Sequence, residues 1–137
     1  MDDLAIGALL RMARTIAVVG LSPRPDRPSH AAARYLQHAG YRIVPVRPDA
    51  DTILGESAYP DLPSAASAAG PLDIVNVFRR SEAIAALGDQ ILAVRPRLVW
   101  LQVGVRDEQT AARLTAAGIP VVMDRCLMAD HPRLTSD

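Results

Sequence analysis

The sequence predicts an α/β protein, with an open parallel sheet of about five strands and helices on both faces in three layers. Short apolar runs rich in β-branched residues alternate with helix-period segments along the whole chain. Strands joined through a helix are parallel, because such crossovers are right-handed. The 137 residues suit one hydrophobic core. We therefore expect a single domain at 1–137, with a leading helix at 1–14 and a C-terminal tail at 124–137.

The first half of the chain predicts two helices and two strands. Asp2 and Asp3 precede the leading helix, where acidic groups favour the positive end of the helix dipole. Residues 15–20 (TIAVVG) form the expected central strand, buried on both faces. Residues 31–39 have helical spacing up to Gly40, and residues 41–46 (YRIVPV) form the next strand.

The second half continues the alternation after a Pro-, Asp- and Ser-rich region with a possible edge strand near Ala58 and Tyr59 and a short helix after Asp61. The expected elements are a strand at 73–78, a helix opening at Ser81, a strand at 98–103, a helix capped by Asp107 and ended by Gly118, and a strand at 119–123. Pro120 predicts that this last strand lies at the sheet edge, since proline lacks a donor N–H.

Composition excludes several classes of function. The 15 basic and 15 acidic residues cancel, so no general field favours nucleic acid or an anionic membrane. Every basic residue is arginine, which excludes lysine Schiff-base and P-loop lysine chemistry. The acidic start at Met1, Asp2 and Asp3 is unlike a signal peptide, and no apolar run is long enough for a bilayer, so we expect a cytoplasmic protein.

The loop after the first strand is the first candidate binding site, because open parallel sheets bind ligands beyond the carboxyl ends of their strands. Backbone N–H groups from Gly20 to the next helix can hold a pyrophosphate, Ser22 can add a hydroxyl, and Arg24 and Arg27 can add charge. The alternative is a rigid connection with solvated arginines. The G-x-G-x-x-G fingerprint is absent, which disfavours an ordinary NAD site.

Arg47 follows the second strand, where NAD enzymes carry an acid that binds the ribose hydroxyls. An arginine favours a phosphorylated ribose, as in coenzyme A (CoA) or NADP. Asp49 and Asp51 leave NAD open, and a merely solvent-exposed arginine is equally compatible with this position.

Several short motifs follow one another along the chain. They are GLSP at 20–23, DRPS at 26–29, VRP at 46–48, LGE at 54–56, DIVNVFRR at 73–80, VWLQ at 99–102 and DRC at 124–126. In this order they resemble the small stand-alone CoA-binding proteins of prokaryotes, whose domain is similar to the CoA-binding domain of the succinyl-CoA synthetase alpha subunit. The resemblance covers residues 15–134 and implies a Rossmann-like fold and a CoA ligand.

The resemblance implies cofactor-binding roles for fourteen residues. They are Gly20, Ser22, Pro23 and Arg24 at the pyrophosphate, with Arg27 and Ser29 in the same loop, Val46, Arg47 and Pro48 beside the adenosine, Phe78, Arg79 and Arg80 along the pantetheine or nucleotide, and Gln102 and Cys126 further along the mouth. The chain departs from the family at Arg47-Pro48-Asp49, where Asn-Pro-Lys is frequent, and at Met128 and Asp130, where lysine and glutamate are common.

No motif unites a nucleophile, a base and an oxyanion site, so we expect a CoA or acyl-CoA binding module that acts as a carrier, sensor or regulatory unit, without catalysis or a metal. One alternative is an enzyme, either an NADP-linked oxidoreductase or a thiol-dependent acyl transferase using Cys126 with His131. Another is an interaction scaffold with a vacant nucleotide fold. The expected partner is the small-molecule ligand, and no protein partner is identified.

Overall fold

The computed structural model describes residues 1–49 and 51–136. Within them, strands and helices alternate along the chain as the hydrophobic pattern predicts. In order they are α1 Asp3–Met12, β1 Thr15–Val19, α2 Pro28–His38, β2 Arg42–Val46, β3 Thr52–Ile53, β4 Glu56–Ser57, α3 Leu62–Ala69, β5 Ile74–Val77, α4 Ile84–Val94, β6 Leu98–Leu101, α5 Glu108–Ala116, β7 Val121–Val122 and α6 Leu127–Thr135, with a 3-10 turn at Ser81–Ala83 before α4.

Five of the strands form one parallel sheet in the order β2-β1-β5-β6-β7. The predicted fold class, a three-layer Rossmann-like α/β architecture, is confirmed. The strand expected at the centre, β1, is an interior strand with neighbours on both sides, but β5 holds the central position. The reason is that only β2 lies on one side of β1, whereas β5, β6 and β7 lie on the other side.

Each strand alternates its side chains between two apolar clusters, one on each face of the sheet. Ile16 and Val18 of β1 contribute to one cluster, whereas Ala17 and Val19 contribute to the other. Side chains of α1, α2 and α6 complete the first cluster and those of α3, α4 and α5 complete the second. The two clusters make the sheet the middle layer, and Trp100 is fully buried in the first, as its mid-strand position predicts.

Sheet edges and helix ends follow the local chemistry of the sequence. β7 lies at the sheet edge, as Pro120 predicts, but it is only two residues long. It ends before Asp124, whose φ of 60° is left-handed and whose carboxylate accepts from the Gly104 N–H at 2.7 Å. Side chains of Asp2, Asp61 and Asp107 accept N–H bonds from the first turns of α1, α3 and α5.

Two elements were missing from the sequence-based expectation. The region around Leu54 and Gly55 forms the antiparallel hairpin β3–β4, with φ of 53° and 77° at the turn, and Tyr59 makes a single-residue parallel bridge to Val46. The stretch expected as a C-terminal tail contains α6, although Pro132 lies inside this helix. Leu127 and Leu134, both buried, fix α6 against α1 and α2.

None of the helices in residues 1–49 and 51–136 has the length and apolar character needed to cross a bilayer. In the same residues no three His, Cys, Asp or Glu side chains cluster in a way that suits a metal ion.

Candidate binding cleft

The candidate site lies where the sheet changes its direction of growth. From β1 the chain moves outward to β2, and it then returns to the other side of β1 to form β5. The loops that follow β1 and β5 therefore leave the sheet next to each other but toward different helices, on opposite faces. In open parallel sheets this arrangement produces a crevice at the carboxyl ends of the strands.

Gly20 allows these two loops to come into direct contact. Its φ of +83° is left-handed, and a Cβ atom at this position would lie 2.3 Å from the backbone oxygen of Phe78. A side chain is therefore excluded by both conformation and space. The Gly20 N–H donates to the Val46 carbonyl at 2.9 Å, so the same residue also ties the loop to β2.

Two serine hydroxyls shape the loop after Gly20. The Ser22 N–H donates to Ser29 Oγ at 2.9 Å, and the Arg24 N–H donates to Ser22 Oγ at 3.1 Å. Ser29 is 5% exposed and belongs to the first turn of α2. These bonds hold the loop against the positive end of that helix, and they leave the Ser22 hydroxyl hydrogen available to a ligand.

The main cleft is an open cavity of about 850 Å³ at this edge of the sheet, within the size range of small-molecule sites. Its walls come from loops that follow β1, β2, β5 and β6, from the start of α2 and from the segment before α6. The lining residues are Gly20, Ser22, Pro23, Arg24, Arg27, Pro28, Ser29, Arg47, Phe78, Arg79, Arg80, Gln102, Val103, Val105 and Cys126.

The main cleft has a strongly one-sided charge. Arginine contributes five side chains to it, and no acidic side chain lines it among the described residues. The five are Arg24, Arg27, Arg47, Arg79 and Arg80. Among the described residues, Arg24 alone of these five forms a salt bridge, with the exposed Asp26 at 3.1 Å, and solvent screens this pair. A chain of zero formal net charge thus concentrates positive charge at the end of the sheet where ligands bind.

Arg47 is the most constrained of these arginines. Its Nη1 donates to the Leu21 carbonyl at 3.1 Å, while its Nε is buried without a hydrogen-bond partner. A buried donor that lacks an acceptor is costly, and an anionic oxygen would satisfy it. Arg47 therefore supports the first loop through Nη1, and its Nε–H has no protein acceptor among the described residues.

Twelve of the fourteen residues expected at the site line the main cleft, and two do not. Val46 and Pro48 line a smaller side cleft of about 230 Å³ on the other side of Arg47, toward α3 and α4. Arg47 and Arg79 line both cavities. Val46 is separated from the main cleft because its side chain, like that of Val44, packs into the second apolar cluster, on the face of the sheet covered by α3, α4 and α5.

Sequence reasoning missed three lining residues, namely Pro28, Val103 and Val105. Pro28 is the first residue of α2, which starts three residues earlier than the apolar spacing suggested. The Pro-Ser pair was an available signal, since proline is favoured in the first turn of a helix. Val103 was expected as the last residue of the strand at 98–103, but β6 ends at Leu101, and Val105 resembles an ordinary apolar loop residue in the sequence.

Buried hydrogen bonds fix the side chain of Gln102 at the wall of the main cleft. Asn76, fully buried on β5, donates through Nδ2 to the Trp100 carbonyl at 3.1 Å and to Gln102 Oε1 at 3.3 Å. The Leu127 N–H also donates to Gln102 Oε1, at 3.4 Å. The side chain is 8% exposed and yet lines the cleft.

Cys126 and His131 are not brought together. Cys126 is the N-cap residue of α6 and lines the main cleft, whereas His131 lines a separate cavity of about 320 Å³ near α1. His131 Nδ1 is 2.8 Å from the Tyr35 hydroxyl, and its Nε2 is 3.0 Å from the Tyr41 hydroxyl. Tyrosines thus engage both ring nitrogens of His131, and no hydrogen bond joins His131 to Cys126 within residues 1–49 and 51–136.

Burial shifts the pKa values of His131 and Tyr41. Desolvation lowers the pKa of His131. Desolvation is also the main cause that raises the pKa of Tyr41, and the electrostatic effect of the nearby Tyr35 raises it further.

Arg125 donates to Asp130 at 2.7 Å and stacks over Trp100 with its Cζ 5.5 Å from the ring centroid. Its guanidinium is thus engaged by the Asp130 carboxylate and by the Trp100 ring.

Comparison with known proteins identifies relatives over almost the whole chain. A family model described as a CoA binding domain matches residues 14–132. Uncharacterized protein YneT of Bacillus subtilis is 41% identical over 126 residues, 92% of this chain and 91% of YneT. A solved structure from Thermus thermophilus has a TM-score of 0.91 at 44% identity, and the match covers 98% of this chain and 99% of that one.

The same fold also occurs inside a much larger enzyme. A dinucleotide forming acetyl-coenzyme A synthetase from Ca. Korarchaeum cryptofilum, in complex with phosphate and ADP, matches with a TM-score of 0.70 at 20% identity. The match covers 85% of this chain and 27% of the enzyme. At this identity the likeness concerns the fold alone.

Proposed function

Because the chain belongs to the family of CoA binding domains, we propose that its main cleft binds coenzyme A or an acyl-CoA as a carrier, sensor or regulatory module. The observation that carries this proposal is the set of five arginines, with no acidic side chain, around one cleft at the topological switch point. The phosphates of CoA lie at its nucleotide end, and arginine is the side chain best suited to bind them.

The donor set fits the nucleotide end of CoA. Ser22, Arg24 and Arg27 surround the start of α2, where a pyrophosphate gains from backbone N–H groups and from the helix dipole. Arg47 lines both the main cleft and the side cleft, and its buried Nε has no protein acceptor among the described residues. The largely apolar side cleft beside it can accept the flat face of a base. We therefore assign the ribose phosphate to Arg47.

The remaining part of the main cleft suits the uncharged pantetheine. Phe78, half-buried at the end of β5, offers an apolar surface between the arginines and Gln102. Beyond it the cleft continues to Val103, Val105 and Cys126. CoA would thus lie across the ends of the strands, from β2 toward β6.

The test is calorimetric titration of the protein with CoA, NADP and NAD, together with mass spectrometry of natively purified protein. We expect CoA to bind more tightly than either dinucleotide. Arg79→Ala should weaken CoA binding, whereas Arg34→Ala removes an equal charge from an exposed position on α2 outside the cleft and should not. Tight NADP binding without a CoA signal would overturn the proposal.

The Cys126→Ser variant distinguishes a CoA-binding module from an enzyme that uses the Cys126 thiol as a nucleophile. Cys126→Ser should change CoA affinity by less than about 1 kcal/mol, since serine nearly matches cysteine in size and alters one polar contact. Intact-mass analysis after incubation with acyl-CoAs completes the experiment. A stable acyl adduct that disappears in the serine variant, together with acyl-CoA hydrolysis, would favour the enzyme.

A further inference from the structure

The main cleft has a charged end and an uncharged end. We define the uncharged end as Gln102, Val103, Val105 and Cys126, contributed by the loop after β6 and the segment before α6. The five arginines all belong to the loops after β1, β2 and β5. A ligand with its phosphates among the arginines therefore presents its other terminus to the uncharged end. For CoA that terminus is the thiol or its thioester.

The hydrogen-bond network shows which polar atom of the Gln102 side chain has no protein partner. The Trp100 carbonyl can only accept, so the atom of Asn76 that contacts it is Nδ2. The same Nδ2 contacts Gln102, and the Leu127 N–H contacts the same Gln102 atom, so that atom is the acceptor Oε1. The Gln102 Nε2 group is consequently the one left over. It donates to no protein acceptor within residues 1–49 and 51–136.

Gln102 is thus a preorganised hydrogen-bond donor at a mostly buried position in the wall of the main cleft. The side chain is 8% exposed, and two donors hold its oxygen. Gln102 Nε2 is not among the buried polar atoms that lack a partner, so it is open to water in the cleft. A ligand acceptor that replaces this water gains a hydrogen bond without the cost of ordering a flexible side chain. A free thiol is a poor acceptor, but a thioester carries a carbonyl oxygen in addition to its sulfur.

Resting on the proposed CoA site, we propose that the uncharged end selects acyl-CoA over CoA, with Gln102 Nε2 donating to the thioester carbonyl oxygen. Val103 supports the assignment, because it is 64% exposed on the rim of the same end and an apolar acyl group would cover it. Val105 and the Cys126 side chain provide the rest of the wall. Gln102 is accordingly a specificity-determining residue rather than a catalytic one.

The experiment compares acetyl-CoA with S-ethyl-CoA, a thioether of nearly the same size that lacks the carbonyl. The wild-type protein should bind acetyl-CoA more tightly, by roughly three- to tenfold, the value of one net hydrogen bond. Gln102→Glu retains the oxygen that accepts from Asn76 and Leu127 but replaces the donor. At mildly alkaline pH, where the carboxylate is ionised, it should lose this preference.

Gln109→Glu is the matched control for the change of side chain. Gln109 is exposed on α5 and lines neither the main cleft nor the side cleft. This variant should retain the wild-type ratio of acetyl-CoA to S-ethyl-CoA affinity. Because the readout is a ratio, a uniform electrostatic effect of the new charge on both ligands cancels.

A second measurement uses the unmodified protein and does not depend on the folding of a variant. In NMR spectra, the Gln102 side-chain amide protons should shift on binding acetyl-CoA and much less on binding S-ethyl-CoA. Equal affinities for the two ligands, or a Gln102→Glu variant with an unchanged ratio, would overturn the inference while leaving CoA binding intact. Failure of CoA and of both derivatives to bind would instead overturn the proposed function.

Discussion

At the scale of single residues, Gly20 has the narrowest tolerance in the cleft. Gly20→Ala should cost more than about 3 kcal/mol, because left-handed backbone strain adds to a clash with the Phe78 oxygen that a side-chain movement cannot relieve. Gly118→Ala is the control: its φ is +87°, but no atom lies within 4 Å of the added Cβ, so it should cost only about 1–2 kcal/mol. Urea unfolding measures both values, and equal costs would contradict the argument.

Arg47 should discriminate between CoA and dephospho-CoA. Arg47→Ala removes the donor assigned to the ribose phosphate, a charge-assisted contact of roughly 1.5–3 kcal/mol, so most of the preference for CoA should disappear. The variant also loses the bond from Nη1 to the Leu21 carbonyl, which can weaken both ligands equally. The affinity ratio at fixed ionic strength is therefore the measurement. A full preference in the variant would assign the phosphate to Arg79 or Arg80.

The residues of the cleft differ in how far the sequence alone identified them. Gly20, the five arginines and Cys126 follow strand ends or belong to short motifs, so their position at the edge of the sheet was predictable. The side chain of Val46 could not be separated from that of Arg47, because the division between main and side clefts depends on the tertiary packing of α3 and α4. The Asn76–Gln102 contact depends on the register of β5 and β6, which periodicity does not specify.

At the scale of secondary-structure elements, the long periodic segments were predicted, whereas the hairpin β3–β4 and helix α6 were not. Helices such as α2 and strands such as β1 combine strong apolar periodicity with clear ends. The hairpin β3–β4 has two residues in each strand, and its turn is Leu54-Gly55 rather than an Asn-Gly or Asp-Gly pair. α6 contains Pro132 in its interior, a residue that normally ends a helix, so only its tertiary contacts reveal it.

His131 links α6 to two tyrosines elsewhere in the fold, so the stability of the protein should depend on pH. The neutral imidazole of His131 is hydrogen-bonded to Tyr35 of α2 and to Tyr41, directly before β2, and burial lowers the pKa of His131. Between the folded pKa and the unfolded value of about 6.5, the unfolded chain binds more protons. The free energy of unfolding should thus be highest above pH of about 6.5 and should decrease as pH falls through this window.

His131→Gln tests the origin of this dependence. A glutamine can still donate to one tyrosine and accept from the other, but it does not titrate. The charged groups near His131 are Arg11 in the same cavity and Asp130 and Arg133 on α6, none of which has an ordinary pKa near 6.5. Urea unfolding at several pH values between about 5 and 8 should give a smaller slope for the variant. An identical slope would assign the dependence to His30 or His38.

At the scale of the whole molecule, the charge distribution matters more than its sum. The 15 basic and 15 acidic residues cancel, so the protein has no long-range field that attracts an anion. Five of the arginines nevertheless line one cleft without an acidic neighbour in its described lining. Composition predicted the absence of a general field, and it also implied that any anion must be held locally. The fold supplies that concentration by bringing the loops after β1, β2 and β5 together.

This local charge predicts how ligand affinity responds to salt. CoA affinity should fall by several-fold between about 50 mM and 500 mM NaCl, because added ions screen the contacts between arginines and phosphates. Dephospho-CoA lacks one phosphate, so its affinity should fall less steeply.

Arg79→Ala should reduce the slope of CoA affinity against salt concentration, whereas Arg34→Ala, which also changes the net charge by one, should not. Because the two variants have the same net charge, any difference between their slopes comes from the cleft. Calorimetry at four salt concentrations gives these slopes. A CoA affinity independent of salt would mean that the arginines of the main cleft do not contact its phosphates.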